Sequence, residues 1–279
     1  MIRRALLAAA LLLAACAAEA QDQGGGELIE LTIPHADRPF ATRICRPAAP
    51  GPAKLVVINH GSPADAADRP MMRPASCSNE AVRWFTSRGY VAAMPMRRGY
   101  GATGGPWAEE FGGCSRGNYG PAGLEAARDI LAATRALQAR PDVARAPALV
   151  VGQSAGGWGV IALSSLNPPE VGAIVNFAGG RGGWQGGLPN QVCRPENLAA
   201  AAGEYGRTAR VPTLWIYSAN DTFFDRPLAI RMSDAYRTAG GQVDFQPLGP
   251  YGRDGHGLFF GQGGSEAWGP VVSRFLAGR

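Results

Sequence analysis

Short apolar runs alternate with amphipathic segments along most of the chain. The apolar runs are too short for helices and predict buried strands, whereas the segments between them carry apolar residues at helical spacing. The predicted strands lie at 27–33, 40–45, 55–60, 90–96, 148–151, 173–177, 212–217 and 242–247. The predicted helices lie at 79–88, 122–138, 155–166, 197–205, 227–238 and 267–277. This alternation predicts an α/β fold with a mostly parallel sheet and helices on both faces.

Two Gly-rich segments, 97–120 and 179–195, interrupt this pattern. They are longer than connections need to be, so we expect them to line a site. In a parallel sheet, sites form beyond the carboxyl ends of the strands, where both segments begin. The chain has no internal repeat and no linker, which predicts a single domain over residues 21–279.

Composition excludes several classes of protein. With 46% hydrophobic and 18% charged residues, the chain can form a substantial core and is not a disordered protein. The net charge of +5 comes from basic residues spread along the chain, so a nucleic-acid partner is not expected. No apolar run reaches the roughly 18 residues of a membrane span.

The N-terminus has the pattern of a secretory signal. Arg3 and Arg4 precede an apolar stretch at 5–15. Cleavage after Ala20 would remove residues 1–20. Alternatively, residues 13–16 resemble a lipobox, in which case residues 1–15 would be removed and Cys16 lipidated. Either site predicts export to the periplasm or medium, and a lipid anchor at Cys16 is the one expected membrane contact, as in an outer-membrane lipoprotein.

Because Cys16 would be either removed or lipidated, four cysteines remain for pairing, and in an oxidising compartment they allow three connectivities. A zinc site would more typically contain a C-x-x-C pair, which the chain lacks. Cys114 and Cys193 lie in the two long loops, so we favour a disulfide between them. Cys45 would then pair with Cys77.

The pattern G-x-S-x-G, typical of a nucleophile elbow, occurs twice. One match, residues 113–117, lies within a loop. The other, residues 152–156, follows a predicted strand and begins a predicted helix. A sharp strand-to-helix turn exposes the serine above the sheet, at a helix N-terminus that favours a developing anion. Ser154 is therefore the candidate nucleophile, against the alternative that it only caps the helix.

A serine nucleophile needs a base, and the chain has three histidines. His256 lies between two glycines after the last strand, which makes it a better candidate than His35 or His60. A carboxylate should orient the imidazole. Asp221 follows a buried strand at its carboxyl end, and Asp225 is the second choice.

Stabilising the tetrahedral intermediate requires two N–H donors. One should be the amide of Ala155, directly after the nucleophile. The other should come from the loop after strand 55–60, where Ser62 is the candidate because Pro63 has no N–H.

Taken together, these motifs resemble the α/β-hydrolase superfamily, in particular its dienelactone-hydrolase-like and prolyl-oligopeptidase-like branch. The matching segments are 59–63, 98–101, 152–157, 220–224 and 254–256. The resemblance implies an eight-stranded sheet whose second strand is antiparallel, and hydrolysis through an acyl-enzyme without metal or cofactor. It departs from true dienelactone hydrolases, which have Cys where this chain has Ser154, so the substrate does not carry over.

We therefore expect a serine hydrolase, a carboxylesterase acting on a small-molecule ester through Ser154, Asp221 and His256. A peptidase or amidase of the same fold is the alternative, and an inactive binding protein is a further one. Arg98 and Arg181 are candidates to hold a substrate carboxylate or to form internal ion pairs. Several aromatic residues are candidates for the substrate pocket, with ordinary packing within the loops as the alternative: Tyr100, Trp107, Tyr119, Trp184, Phe223 and Phe224.

Overall fold

The computed structural model describes residues 25–279 and contains one eight-stranded sheet. Its strands, in chain order, are β1 (Glu27–Leu31), β2 (Phe40–Cys45), β3 (Lys54–Asn59), β4 (Tyr90–Pro95), β5 (Ala148–Gln153), β6 (Val171–Phe177), β7 (Thr213–Ser218) and β8 (Val243–Leu248). They lie in the order β1-β2-β4-β3-β5-β6-β7-β8. Strand β2 is antiparallel to both neighbours, and the remaining pairs are parallel. The predicted sheet is confirmed, including its antiparallel second strand.

Helices cover both faces of this sheet. They are α1 (Glu80–Thr86), α2 (Gly113–Arg116), α3 (Tyr119–Gln138), α4 (Ala155–Ser164), α5 (Pro195–Thr208), α6 (Arg226–Thr238) and α7 (Gly264–Leu276). The residues of β3 alternate between the two layers, with Leu55 and Val57 packed in the core that α3 to α6 cover. Val56 and Ile58 pack in the second core, under α1 and α7. A strand buried on both faces accounts for the continuous apolar run.

Most predicted elements occur within a few residues of their expected bounds. Helix α1 begins after Asn79, whose side chain accepts a hydrogen bond from the amide of Ala81 at 2.9 Å. This cap is the kind of local signal that marks a helix start. The short helix α2 was not predicted, because its four residues lie between glycines at 112 and 117 that adopt positive φ angles.

One disulfide ties the two long loops together, and a second links the end of β2 to the segment before α1. The structure joins Cys114 to Cys193 and Cys45 to Cys77, which is the pairing favoured from the sequence. The expected signal segment and Cys16 lie outside the described residues and stay predictions. Within 25–279, no helix is both long and apolar enough to cross a membrane.

Helices α5 and α6 give a test of the packing. A Cβ atom on Gly206 would lie 2.2 Å from the backbone oxygen of Tyr236, whereas one on Gly203 would meet no atom closer than 3.4 Å. We expect Gly206→Ala to lower the free energy of unfolding by about 1–3 kcal/mol through overpacking. Gly203→Ala, in the same helix, should raise it by up to ~1 kcal/mol through helix propensity. Urea unfolding followed by circular dichroism would measure both, and equal effects would contradict this packing.

Candidate active site

Ser154 lies at the turn between β5 and α4 in a strained backbone conformation. Its φ is +55° and its ψ −121°, a region that non-glycine residues rarely adopt. The turn is held because the amide of Ser154 donates to the carbonyl of Phe177 at 3.0 Å and its carbonyl accepts from Trp158 at 2.8 Å. The side chain accepts no capping hydrogen bond from the helix, so the hydroxyl is available for other chemistry.

Glycines on either side of Ser154 allow backbone to pack directly on backbone. A Cβ atom on Gly152 would lie 2.3 Å from the carbonyl oxygen of Gly156. One on Gly156 would lie 2.4 Å from the carbonyl of Asn59 and 2.5 Å from that of His60. Both glycines of the motif are therefore sterically required here. By contrast Ser115, in the other match, is exposed on α2 and donates to the carbonyl of Gly112.

Asp221 and His256 form a buried pair. The imidazole Nδ1 lies 3.1 Å from both carboxylate oxygens of Asp221. One of these oxygens also accepts from the amides of Phe223 and Phe224, at 2.8 and 2.9 Å. The second choice, Asp225, instead caps α6 by accepting from the amide of Leu228 at 2.9 Å.

The loop around His256 is held in place by further polar contacts. Asp254 accepts hydrogen bonds from the amides of His256 and Thr222, at 2.9 and 3.1 Å. The imidazole stacks on Phe223, with ring centroids 4.0 Å apart and planes 24° apart. Because Nδ1 faces Asp221, Nε2 is the nitrogen left for proton transfer, and it has no hydrogen-bond partner among residues 25–279.

Ser154 and His256 are brought to the same region without a hydrogen bond between them in the described chain. The side chain of Gln153, next to the nucleophile, donates to the carbonyl of His256 at 3.1 Å. Phe223, stacked on His256, lines the same cavity as Ser154. Catalytic hydrogen bonds are often long in unliganded enzymes and tighten in the complex with substrate, so this geometry is compatible with a triad.

A cavity of about 200 Å³ opens at Ser154, and we call it the nucleophile cavity. Both predicted oxyanion residues, Ala155 and Ser62, line it together with Ser154. Ala155 is the first residue of α4, where backbone N–H groups have no partner within the helix. A carbonyl group placed here would therefore meet helix N–H donors.

The wall of the nucleophile cavity is cationic. Arg181 and Arg69 line it, and no aspartate or glutamate of the described part of the chain does. The indole of Trp107 also lies in this wall, with the Arg69 guanidinium 3.5 Å and that of Arg181 5.8 Å from its ring centroid. The wall therefore favours negative charge beside the nucleophile.

A fully buried carboxylate, Glu109, holds Arg181 in this wall. Glu109 pairs with Arg181 and with the buried Arg97, and accepts from the Tyr100 hydroxyl at 3.0 Å. Burial lowers the pKa of Arg181 and of Arg97. One carboxylate serves two guanidinium groups, and Nε of Arg181 is buried without a hydrogen-bond partner in the described chain.

The predicted substrate contacts divide into two groups. Trp107, Arg181, Phe223 and Phe224 line the nucleophile cavity. Tyr100, Tyr119 and Trp184 do not. Tyr100 is fully buried and its hydroxyl accepts a hydrogen bond from the Trp107 indole, so Tyr100 lies behind the wall of the nucleophile cavity. Trp184 donates to Thr222 and packs against Phe223 instead.

The other titratable candidates have structural partners. Arg98 bonds to Asp129 and Glu125, so it forms the internal ion pairs that the sequence left open. His35 also bonds to Asp129. Burial, and then the charge of Arg97, hold the pKa of His60 well below its usual value. Its Nε2 accepts from the amide of Arg97, so His60 is neutral and not the base. Residues 25–279 contain no group of three or more His, Cys, Asp or Glu side chains that could hold a metal ion.

Sequence reasoning missed Glu109, Arg97 and Arg69. Glu109 bonds to residues 12 and 72 positions away, and no motif marks it. The sequence shows only that Glu109 lies within a Gly-rich loop. Its burial could not be predicted without knowing that Arg97 and Arg181 pair with it. Arg69 lies on a short 3-10 turn (Ala66–Met71) that has no buried residue.

Comparison with known proteins finds hydrolases of similar fold. Residues 76–176, about a third of the chain, match the model of the prolyl oligopeptidase family. A search of curated proteins found no significant match. Among solved structures, acylaminoacyl peptidase from Pyrococcus horikoshii is similar with a TM-score of 0.58 and 15% identity. The similarity covers 84% of this chain but 38% of the peptidase, so the chain spans well under half of that enzyme.

Two smaller proteins are similar over nearly their whole length. An esterase from Pyrococcus furiosus has a TM-score of 0.60 and 17% identity, covering 91% of this chain and 92% of the esterase. Est1E from Butyrivibrio proteoclasticus, solved with ferulic acid bound, has a TM-score of 0.60 and 12% identity, covering 89% and 98%. At such identities structural similarity shows the fold. The chain has the α/β-hydrolase fold, and its residues 76–176 match the model of the prolyl oligopeptidase family.

Proposed function

We propose that this protein hydrolyses carboxylic esters through an acyl-enzyme on Ser154. The observation that carries the proposal is the strained Ser154 at the start of α4, in a cavity next to the buried Asp221–His256 pair. Similarity to esterases over nearly their full length supports an ester as substrate, since the peptidase is matched over a minor part of its chain.

The reaction follows from the position of each group. Ser154 Oγ attacks the acyl carbonyl while His256 Nε2 accepts its proton. Asp221 holds the imidazole through Nδ1 and stabilises the imidazolium. The amides of Ala155 and Ser62 donate to the oxyanion. His256 then protonates the departing alkoxide, which leaves as the alcohol. A water molecule, deprotonated by His256, cleaves the acyl-enzyme to the acid and restores Ser154.

The nucleophile can be tested against a serine in the same motif. We expect Ser154→Ala to lower the hydrolysis rate of p-nitrophenyl butyrate by about 10³-fold or more. Ser115→Ala changes the exposed serine of the G-x-S-x-G match at 113–117 and should leave the rate unchanged. An alanine p-nitroanilide assayed in parallel should not be cleaved, and its efficient cleavage would favour the peptidase alternative. Retained ester turnover in Ser154→Ala would refute the mechanism, and no turnover in any protein would favour a binding protein.

The carboxylate can be tested in the same way. Asp221→Asn should lower kcat by roughly 10³–10⁴-fold, because the amide no longer fixes the imidazole tautomer. Asp225→Asn should retain kcat, since that side chain caps α6 away from His256. Steady-state kinetics on p-nitrophenyl butyrate would measure both. A larger loss in Asp225→Asn would reverse the assignment.

The cationic wall predicts a preference for an acyl group that carries a negative charge. A p-nitrophenyl ester of succinate should have a KM roughly tenfold lower than the butyrate ester, as one charge-assisted hydrogen bond would give. Added salt should reduce the difference. Arg69→Gln should reduce it as well and leave the butyrate ester unaffected. Equal KM values for the two esters at low salt would contradict this reading of the wall.

A further inference from the structure

A second cavity, of about 360 Å³, lies on the other side of the loop that follows β3. We call it the methionine cavity, because Met72, Met94 and Met96 line it. The rest of its apolar wall includes Ile58, Pro74, Ala75 and Phe260. Met94 and Met96 are buried, so part of the cavity wall belongs to the core of the molecule. Its size falls within the roughly 300–1,000 Å³ typical of small-molecule sites.

The methionine cavity is separated from the nucleophile cavity by a single layer of chain. Ser62 and Pro63 line both cavities. Gly61, in the same layer, is so close to the nucleophile that a Cβ atom on it would lie 3.0 Å from Cβ of Ser154. The two cavities therefore adjoin each other at Ser62 and Pro63, beside the nucleophile.

Neighbours of the nucleophile and of the base also form the wall. Gln153 precedes Ser154, lines the methionine cavity and bonds to the carbonyl of His256. Phe260 lies four residues after His256, and its carbonyl accepts from Asn79, a further lining residue, at 3.1 Å. Among residues 25–279, the titratable groups that line it are His60, which is bonded through both ring nitrogens, and the exposed Arg73. The cavity is therefore suited to binding an apolar group, without chemistry of its own.

We propose that the methionine cavity binds the alcohol part of the substrate, an alkyl or aryl group larger than the acyl group. This rests on the proposed function. The acyl group stays on Ser154 and must lie in the nucleophile cavity, where Ala155 and Ser62 line the carbonyl position. The alcohol leaves from the opposite side of the carbonyl carbon. The methionine cavity is the larger of the two and adjoins the nucleophile cavity at Ser62 and Pro63, and methionine side chains adapt to ligands of varied shape.

Acetate esters of alcohols from methanol to hexanol test the proposal. For the wild-type protein, kcat/KM should rise with alcohol length, by up to about fourfold for each methylene buried. Ala75→Phe, which fills the methionine cavity, should lower kcat/KM for hexyl acetate at least tenfold and leave methyl acetate within about twofold. Ala64→Phe, in the wall of the nucleophile cavity, is the matched control and should instead discriminate against longer acyl groups.

The deacylation rate distinguishes the roles of the two cavities, because the acyl-enzyme no longer contains the alcohol. Ala75→Phe should leave the deacylation rate of the acetyl-enzyme unchanged in burst experiments, whereas Ala64→Phe should change it. Met72→Ala provides a second variant and should shift the preference toward bulkier alcohols. The proposal would be overturned if kcat/KM of the wild-type protein did not depend on the length of the alcohol. It would also be overturned if neither Ala75→Phe nor Met72→Ala changed that dependence.

Failure of the proposed function gives a different result. In that case a fluorophosphonate would not label Ser154 and no ester would be hydrolysed, so both proposals would be rejected. If the fluorophosphonate labels Ser154 but the hydrolysis rate does not depend on the alcohol, only the proposed role of the methionine cavity would be rejected.

Discussion

Three stretches of backbone meet at Gly156 with no side chain between them. The first turn of α4 lies directly on the carbonyls at the end of β3, and Gly152 lets the end of β5 pack against the same turn. This contact forces Ser154 into its positive φ angle and brings the loop after β3 beside it. The positions of the nucleophile, of both expected oxyanion donors and of the layer between the two cavities all depend on it.

The buried charges organise the other side of the site. Arg97 follows β4 and Arg181 follows β6, so Glu109 connects the carboxyl ends of two strands that are not neighbours in the sheet. Removing one member of such a network leaves an unpaired charge in a dry environment, which costs several kcal/mol. The loop around Trp107 contains little regular secondary structure, and this network of buried charges holds it in place.

Sequence reasoning was accurate where the signal is local and weak where it is not. The apolar run of β3, the cap at Asn79 and the order of Ser154, Asp221 and His256 could all be read from short segments. Glu109 could not, since its importance comes from partners that only the folded chain brings near. Tyr100 was assigned to the substrate although it is fully buried, because exposure within a long loop depends on how that loop folds back. The methionine cavity draws on segments from residues 58 to 260, which no single motif could have linked.

The disulfide between Cys114 and Cys193 joins the two loops that supply Phe111 and Gly182 to the wall of the nucleophile cavity. Tyr119 bonds to the carbonyl of Cys193, and Arg194 to that of Cys114, so the cross-link continues into neighbouring contacts. Much of the conformational entropy that loops of this length would lose on binding a substrate is already lost when the bond forms. Affinity for the substrate would then depend in part on whether this disulfide has formed, even in molecules whose fold is otherwise complete.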